Sequence, residues 1–256
     1  MTMTLPVTPS FRLDGRRAVV TGAGRGIGLA AAAALADAGA HVTLVARSTG
    51  EIAEAAAAIV AAGGQAAAAP LDVSDLDAVA AFFAERPAFH VLVNNAGTNR
   101  PMSMTEVSEA DYDAVLNLNV KSAFFVAQGA ARRMIEEGVA GSLIHMGSQM
   151  GHVGGVNRSL YCASKWAMEG MNKAFALDLA QHQIRTNTIA PTFIETPLTK
   201  PFFENAAFKA SVLEKIKLGR IGQVTDLMGA VLFLASDASA LMTGTSLVVD
   251  GGWTAD

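Results

Sequence analysis

Segments with strand-like and helix-like hydrophobic patterns alternate along nearly the whole chain. Short apolar runs predict strands, and longer stretches with helical periodicity separate them. The predicted strands are residues 17–21, 41–46, 65–71, 91–93, 143–146, 184–190 and 246–249. The predicted helices are residues 26–38, 51–62, 76–85, 109–137, 159–181 and 225–236. This alternation specifies an α/β fold, a doubly wound parallel sheet of about seven strands with helices on both faces.

Length and composition limit the class of protein. The 256 residues fit one domain spanning 1–256, with residues 1–11 as an irregular N-terminal segment. Hydrophobic residues make up 51% and charged residues 16%, which excludes a disordered chain. The net charge is −4 and no run of Lys or Arg occurs, so neither nucleic acid nor an anionic membrane is an expected partner. The expected ligand is a small molecule.

The sequence also bears on the compartment. No apolar run reaches the roughly 18 to 20 residues that span a bilayer, and residues 1–11 lack the basic and apolar regions of a signal peptide. Cys162 is the only cysteine, so an intrachain disulfide is impossible. The five histidines lack metal-ligand spacing, and no catalytic metal is expected. We expect a cytoplasmic protein.

A glycine-rich loop, residues 21–28, joins the first predicted strand to the first predicted helix. Glycine allows a sharp turn there, and free N–H groups at the start of a helix can bind a pyrophosphate. The spacing through Gly22, Gly26 and Gly28 is G-x-x-x-G-x-G, because Ile27 stands where the G-x-G-x-x-G pattern needs its third glycine. Tight packing of the strand against the helix is the other interpretation of such a turn.

Tyr161 and Lys165 lie four residues apart in a predicted helix, so their side chains share one face. Tyrosine, with an ordinary pKa of about 10, is a weak acid at neutral pH. A neighbouring ammonium lowers that pKa, so the pair can supply a proton. A solvated helix face would show the same spacing, but the glycine loop and Ser148, thirteen residues upstream, favour the catalytic interpretation.

Taken together and in order, these motifs resemble the single-domain short-chain dehydrogenase/reductase family. The motifs are the Gly22-Gly26-Gly28 loop, Asp72-Val73, Asn94-Asn95-Ala96-Gly97, Asn119, Ser148, Tyr161-x-x-x-Lys165 and the segment at Pro191. The resemblance extends from about residue 13 to residue 253. It implies a Rossmann-type oxidoreductase that transfers a hydride between a nicotinamide cofactor and a secondary alcohol or ketone.

The resemblance implies a role for each catalytic candidate. Tyr161 is the expected general acid and base, and Lys165 is expected to bind the nicotinamide ribose and lower the pKa of Tyr161. Ser148 is expected to hold the substrate oxygen. Asn119 is expected to position a water that links Lys165 to solvent, whereas a helix-breaking or capping asparagine is the alternative.

The resemblance also implies the cofactor-binding set. Its members are Gly22, Arg25, Gly26, Ile27, Gly28, Arg47, Asp72, Val73, Asn94, Ala96, Gly97, Tyr161, Lys165, Pro191, Ile194 and Thr196. NAD-binding members carry an acid at the end of the second strand, but this chain has Ala46 followed by Arg47. Arg47 and Arg25 would attract a 2′-phosphate, which predicts NADP(H). If Arg47 only stacks on adenine and Arg25 is solvated, NAD(H) stays possible.

Residues around the expected substrate pocket depart from the family pattern or vary within it. Thr192 replaces the usual glycine after Pro191, and residues 192–218 resemble the variable substrate lid. His152, Asn157 and Arg158 are expected to border the pocket, where they either bind substrate or face solvent. Residues 95–104 and 249–253 are most similar to members acting on aldonates, sugars or polyols, such as gluconate 5-dehydrogenase.

Three other functions share part of this pattern. A 3-oxoacyl thioester or other ketone reductase shares the same scaffold and stays open. A nucleotide-sugar epimerase or dehydratase resembles an extended form with a larger C-terminal domain, for which this chain is too short. A non-catalytic dinucleotide-binding regulatory protein would not need the set of Asn119, Ser148, Tyr161 and Lys165.

The predicted helix 159–181 is apolar on more than one face, so it must bury a second face, as in an interface between subunits. Because members of the resembled family form tetramers through this helix, we expect a homotetramer.

Overall fold

The computed structural model describes residues 3–255, and a single parallel sheet of seven strands organises them. The strands are β1 (Arg17–Thr21), β2 (His41–Ala46), β3 (Gln65–Pro70), β4 (Val91–Asn94), β5 (Gly141–Met146), β6 (Ile184–Pro191) and β7 (Ser246–Val249). They are ordered β3-β2-β1-β4-β5-β6-β7, and every neighbouring pair is parallel. The predicted fold class is confirmed.

Helices cover both faces of the sheet and bury two separate hydrophobic clusters. The helices are α1 (Gly26–Asp37), α2 (Thr49–Ala61), α3 (Leu76–Ala84), α4 (Glu109–Leu116), α5 (Ala123–Glu136), α6 (Ser159–Leu179), α7 (Ala206–Lys215) and α8 (Thr225–Ala235). Helices α1, α2 and α8 pack on one face, and α3, α5 and α6 on the other. Helix α1 is alanine-rich and buried on most sides, because it packs on β1 and β2 and against the neighbouring α8.

The order of the strands determines where a ligand can bind. The chain winds outward from β1 to β3 and then returns to place β4 on the other side of β1. Loops leaving β1 and β4 therefore diverge, and a crevice opens between them at the carboxyl edge of the sheet. The glycine loop, the Asn94–Gly97 motif and Ser148 all follow strands at this edge.

Several predicted boundaries differ from the structure. The predicted helix 109–137 is divided into α4 and α5 by a π-helical turn, Asn117–Ser122. Helix α7 lies within residues 192–218 and was not predicted. Of the predicted irregular segment 1–11, residues 1 and 2 lie outside the described part, and residues 3–11 form no helix or strand. None of the helices in residues 3–255 is long and apolar enough to cross a membrane.

Candidate active site

The glycine loop has a conformation that other residues cannot adopt without strain. Gly22 and Gly26 have φ angles of +65° and +57°, in the left-handed region. A Cβ at Gly28 would lie 2.2 Å from the Gly22 carbonyl oxygen. The Asn95 amide holds the loop from the other side, because it donates to the carbonyls of Thr21 (2.9 Å) and Gly22 (3.2 Å). The backbone can thus lie against a ligand at the start of α1.

A cleft of about 830 Å³ runs along the carboxyl edge of the sheet. Its walls include these sequence-predicted residues: Gly22, Arg25, Gly26, Ile27, Gly28, Arg47, Asp72, Val73, Ala96, Gly97, Ser148, Tyr161, Lys165, Pro191, Ile194 and Thr196. Asn94 and Asn119 are the two predicted residues that do not line it. The cleft therefore joins the glycine loop to the Ser-Tyr-Lys cluster in one continuous space.

Three side chains form the reactive end of the cleft. Ser148 follows β5, whereas Tyr161 and Lys165 lie on successive turns of α6. Lys165 Nζ donates to the Met146 carbonyl at 2.7 Å and lies 5.5 Å from the centre of the Tyr161 ring. The Ser148 hydroxyl faces the Tyr161 phenol and donates to Gln149 Oε1 at 2.9 Å. This arrangement can hold an oxygen atom between a hydroxyl and a phenol.

Burial dominates the protonation of these groups. Burial raises the pKa of Tyr161 above its ordinary value, although the hydrogen bond with Ser148 and the charge of Arg158 offset part of the rise. The sequence predicted a lowered pKa, so desolvation of the phenolate outweighs the neighbouring cations in this arrangement. Burial lowers the pKa of Lys165 from 10.5 to about 8, opposed by the charge of Glu169. Lys165 therefore titrates close to neutral pH.

Asn119 lies behind the cleft in the π-helical turn, with 1% of its surface exposed. Its Oδ1 accepts from the Thr98 backbone N–H at 2.8 Å, and its Nδ2 donates to the Thr98 carbonyl at 2.8 Å and to Ser164 Oγ at 3.0 Å. The side chain thus fastens the loop after β4 to α6. Such π-helical turns often occur at functional sites, and the predicted role in linking Lys165 to solvent stays a prediction.

Asn94, a predicted cofactor-binding residue, does not line the cleft. Asn94 is the last residue of β4, and its side chain is buried in the sheet, where Nδ2 donates to the Ala123 carbonyl at 2.7 Å. Asn95 lines the cleft, and its amide also holds the end of β1 through the carbonyls of Thr21 and Gly22. Because successive side chains of a strand point to opposite sides, the side chain of Asn95 reaches the cleft and that of Asn94 does not.

At the other end of the cleft, the two predicted phosphate-binding cations make weak contacts. Arg25 Nη1 lies 3.1 Å from Glu51 Oε1, and Arg47 Nη1 lies 4.0 Å from Asp72 Oδ2. Both arginines are largely exposed, and exposed ion pairs contribute little to stability. Ser74 holds Asp72 through its N–H and its hydroxyl and keeps the pKa of that carboxyl low. Both guanidinium groups can therefore turn to an anionic ligand.

The substrate end of the cleft contains polar atoms without partners. Asn99 Oδ1 and Thr192 Oγ1 are buried and make no hydrogen bond within residues 3–255. Such atoms are rare in folded proteins and indicate a place for a ligand or water. The expected lid residues Phe203 and Phe208 pack with Phe193 and Trp253 in an aromatic cluster.

A second cavity, which we call the lid cavity, adjoins this end. Its walls include Pro101, Asn157, Arg158, Phe202, Asn205, Phe208, Ser211, Lys215 and Trp253. Of the three loop residues expected at the pocket, Arg158 lines both spaces and Asn157 lines the lid cavity. His152 lines neither, and its Nε2 bonds to Ser246 Oγ at 2.9 Å.

Other reactive side chains are accounted for by packing. Burial raises the pKa of the Cys162 thiol, which contacts Met150 and the Val153 carbonyl, as expected of a packed thiol. Within residues 3–255, no three His, Cys, Asp or Glu side chains cluster in a way that could hold a metal ion.

Gln149 and Glu169 are residues at or beside the site that sequence reasoning missed. Gln149 could have been found from its position beside Ser148, and Glu169 from its place one turn after Lys165.

The sheet order, the glycine loop and the Ser-Tyr-Lys cluster together define an oxidoreductase of the nicotinamide-dinucleotide class. A family model described as enoyl-(acyl carrier protein) reductase matches residues 22–254. The chain is 37% identical over 253 residues to 2-dehydro-3-deoxy-D-gluconate 5-dehydrogenase of Escherichia coli, covering 97% of this chain and 99% of that one. It is 34% identical to D-erythrulose reductase of Gallus gallus, with coverage of 96% and 98%.

A solved structure agrees with these relatives. Gluconate 5-dehydrogenase of Burkholderia cenocepacia, in complex with NADP and tartrate, superposes with a TM-score of 0.93 at 38% identity, covering 96% of this chain and 98% of that one. The chain belongs to the short-chain dehydrogenase/reductase family.

Proposed function

We propose that this protein is an NADP(H)-dependent oxidoreductase that interconverts a secondary alcohol and a ketone in a sugar, polyol or aldonate. The observation that carries the proposal is the convergence of Ser148, Tyr161 and Lys165 on the cleft that begins at the glycine loop. When bound, the cofactor accepts or supplies the hydride. The protein aligns the substrate carbon and moves the proton.

The proton passes through Tyr161. In reduction, the phenol donates its proton to the carbonyl oxygen, which Ser148 holds on the other side; in oxidation, the phenolate takes the proton from the alcohol. The raised pKa of Tyr161 favours the neutral donor. Lys165, whose pKa is lowered by burial to about 8, is able to exchange the proton with its surroundings. Ser148 thus holds the substrate oxygen directly, whereas Lys165 acts on the proton of Tyr161.

Charge at the adenine end supports NADP(H) as the cofactor. Strand β2 ends at Ala46 without a carboxylate, and Arg47 and Arg25 line the cleft beside it. Helix α2 begins just after Ser48, whose side chain makes no capping bond. A helix N-terminus and two weakly paired guanidinium groups favour a 2′-phosphate. The related gluconate 5-dehydrogenase structure contains NADP; NAD(H) is the alternative.

Surface hydrophobic residues support a homotetramer. Trp166 and Leu177 on α6 are 54% and 83% exposed, and Ile135 on α5 is 39% exposed. Isolated exposed apolar residues are ordinary, but large ones on two adjacent helices indicate an interface. We place the assembly in the cytoplasm, where the reaction finds a nicotinamide cofactor.

The polar character of the substrate end favours a hydroxyl-rich substrate over an acyl thioester. Asn99 Oδ1 is an acceptor that a substrate hydroxyl can satisfy, and Arg158 adds a charge nearby. An acyl chain would leave these groups without partners, which costs roughly 1 to 3 kcal/mol for each. The description of the matching family model keeps a thioester reductase as the second candidate.

A screen in both directions tests the proposal. Sugars, polyols, aldonates, keto acids and acyl thioesters are each supplied with NADP(H) or NAD(H), and the absorbance of the reduced nicotinamide is followed. We expect the highest kcat/KM for a sugar-derived substrate with NADP(H). Turnover restricted to acyl thioesters or long apolar ketones would reject the substrate class, and a strong preference for NADH would reject the cofactor.

A further inference from the structure

Arg158 is a buried arginine on the wall of the active-site cleft. Only 8% of its surface is exposed. It lies immediately before α6 and three residues before Tyr161, and it borders the place where the cleft meets the lid cavity. Its charge is close enough to stabilise the Tyr161 phenolate. A group bound to Arg158 therefore lies next to the reacting carbon.

The fold does not use most of the hydrogen-bonding capacity of Arg158. Nη1 donates to the Asn157 carbonyl at 3.1 Å, and Nε and Nη2 have no partner within residues 3–255. No carboxylate in the same residues forms an ion pair with it. Arg185 provides a contrast, because its Nη1 and Nη2 donate to the carbonyls of Met242, Leu234 and Ser236. Arg185 fastens the fold, whereas Arg158 has one edge free.

The surroundings of Arg158 carry no compensating negative charge. No Asp or Glu is among the residues that line the lid cavity, and Lys215 adds a second cation. The acids that line the main cleft, Glu51 and Asp72, face Arg25 and Arg47 at the adenine end. A buried charge without a partner destabilises the folded protein. An anionic group of the ligand would remove this cost.

We propose that Arg158 binds the carboxylate of the substrate through Nε and Nη2, so that the enzyme acts on hydroxy acids or keto acids of the aldonate type in preference to neutral sugars and polyols. This inference rests on the function proposed above for the Tyr161 cleft. Two parallel N–H groups on a planar guanidinium match the two oxygens of one carboxylate.

The experiment compares D-gluconate with D-glucitol, which differ only in the carboxylate at C1. We measure kcat and KM for each compound with NADP⁺, and the binding of D-gluconate to the enzyme–NADP⁺ complex by calorimetry. The wild type should prefer D-gluconate. Arg158→Met should raise the KM and Kd for D-gluconate by about 10- to 100-fold, the range expected for hydrogen bonds to a charged group. The ratio of kcat/KM for D-gluconate to that for D-glucitol should fall by the same factor, because any effect of the lost charge on Tyr161 acts on both substrates.

Two further variants separate recognition from stability. Arg158→Lys keeps the charge but loses the paired donors, so it should bind D-gluconate with an affinity between those of the wild type and Arg158→Met. Lys209→Gln removes a positive charge from exposed lid helix α7 without lining either cavity, and it should change neither KM. Arg158→Met should keep or raise Tm, because it removes an unpaired buried charge.

Every other result supports or overturns the assignment of Arg158 to the substrate carboxylate. A lowered Tm with an equal loss for D-gluconate and D-glucitol would make Arg158 structural and overturn the inference, while the proposed function would stand. Preference of the wild type for D-glucitol, or for D-glucitol 6-phosphate over D-gluconate, would overturn it as well. Binding of D-gluconate without turnover, lost in Arg158→Met, would support the carboxylate site and contradict the proposed reaction. Failure of D-gluconate to bind the wild type would reject the inference.

Discussion

Lys165 combines deep burial with a direct role in the proposed proton transfer. Only 7% of its surface is exposed, its ammonium donates to the Met146 carbonyl, and Glu169 lies one turn away on α6. Burial lowers the pKa of Lys165 to about 8. Keeping this charge inside the protein costs stability, and in return Lys165 can lose and regain a proton near neutral pH.

The free-energy cost of burying the charged Lys165 should be visible in the pH dependence of unfolding. The pKa of Lys165 is about 8 when folded and 10.5 as its ordinary value. Between these pH values the unfolded chain binds more protons, so the free energy of unfolding rises with pH across this window. The rise due to Lys165 is on the order of 3 kcal/mol. Urea unfolding of the wild type and of Lys165→Met measures it.

The difference in the free energy of unfolding between the wild type and Lys165→Met should change with pH in one direction. The wild type should gain stability relative to Lys165→Met as the pH increases from about 8 towards 10.5. A difference that stays constant with pH, or that falls, would show that Lys165 is not buried as a destabilised charge.

At the same scale, sequence reasoning predicted that Ser148, Tyr161 and Lys165 lie together, and the structure brings them to one cleft, whereas it did not predict that Asn94 is buried away from the cleft. The motif spacing is visible in the sequence, whereas the side of the sheet to which each asparagine points depends on the register of β4 against β1. The burial that raises the pKa of Tyr161 depends likewise on groups far along the chain. Local sequence patterns therefore predict which residues lie in the site better than they predict the burial and orientation of their side chains.

At the scale of elements, the turn from β1 into α1 combines two left-handed glycines with one close contact. Gly28 touches the carbonyl of Gly22, so the first turn of α1 packs directly on the end of β1. This contact brings the helix N-terminus to the cleft. Sequence reasoning predicted the turn from its glycine spacing, but the π-helical turn after α4 was missed because its hydrophobic pattern continues that of the helix.

A matched pair of glycine substitutions tests the importance of this contact. Gly28→Ala should lower the free energy of unfolding by about 1 to 3 kcal/mol through overpacking and should weaken cofactor binding. Gly50→Ala, in the first turn of α2 where a Cβ would meet nothing within 4 Å, should stabilise the protein by roughly 0.5 to 1 kcal/mol. Urea unfolding and titration with NADPH measure both effects. Equal behaviour of the two variants would contradict the packing shown for Gly28.

For the whole molecule, the residues proposed to carry out the reaction and the residues that surround the proposed substrate end belong to different parts of the fold. The sheet edge and α6 place the cofactor loop and the reactive side chains, while the lid cavity and α7 surround the substrate end. Alternation of strands and helices predicted the sheet, because that pattern is encoded locally. Helix α7 was not predicted, since the contacts that stabilise it come from Phe193 and Trp253, far apart in sequence.

The proposed assembly belongs to this scale. Replacing Trp166 and Leu177 together by Glu should give a smaller species by light scattering, because charges would enter an apolar interface. Val60→Glu is the control, since Val60 is 52% exposed on α2, away from α5 and α6. A wild-type protein that is monomeric at micromolar concentration, or a double variant of unchanged mass, would reject an interface through α6.

The central claim is that the Tyr161 hydroxyl transfers the proton, and Tyr161→Phe tests it most directly. The substitution removes one oxygen atom and keeps the ring that packs in the cleft wall. With the best substrate of the screen, kcat should fall by about 10²- to 10⁴-fold, the contribution typical of a general acid or base, a loss far larger than any change in the affinity for NADPH or in Tm. Turnover equal to that of the wild type would contradict the account.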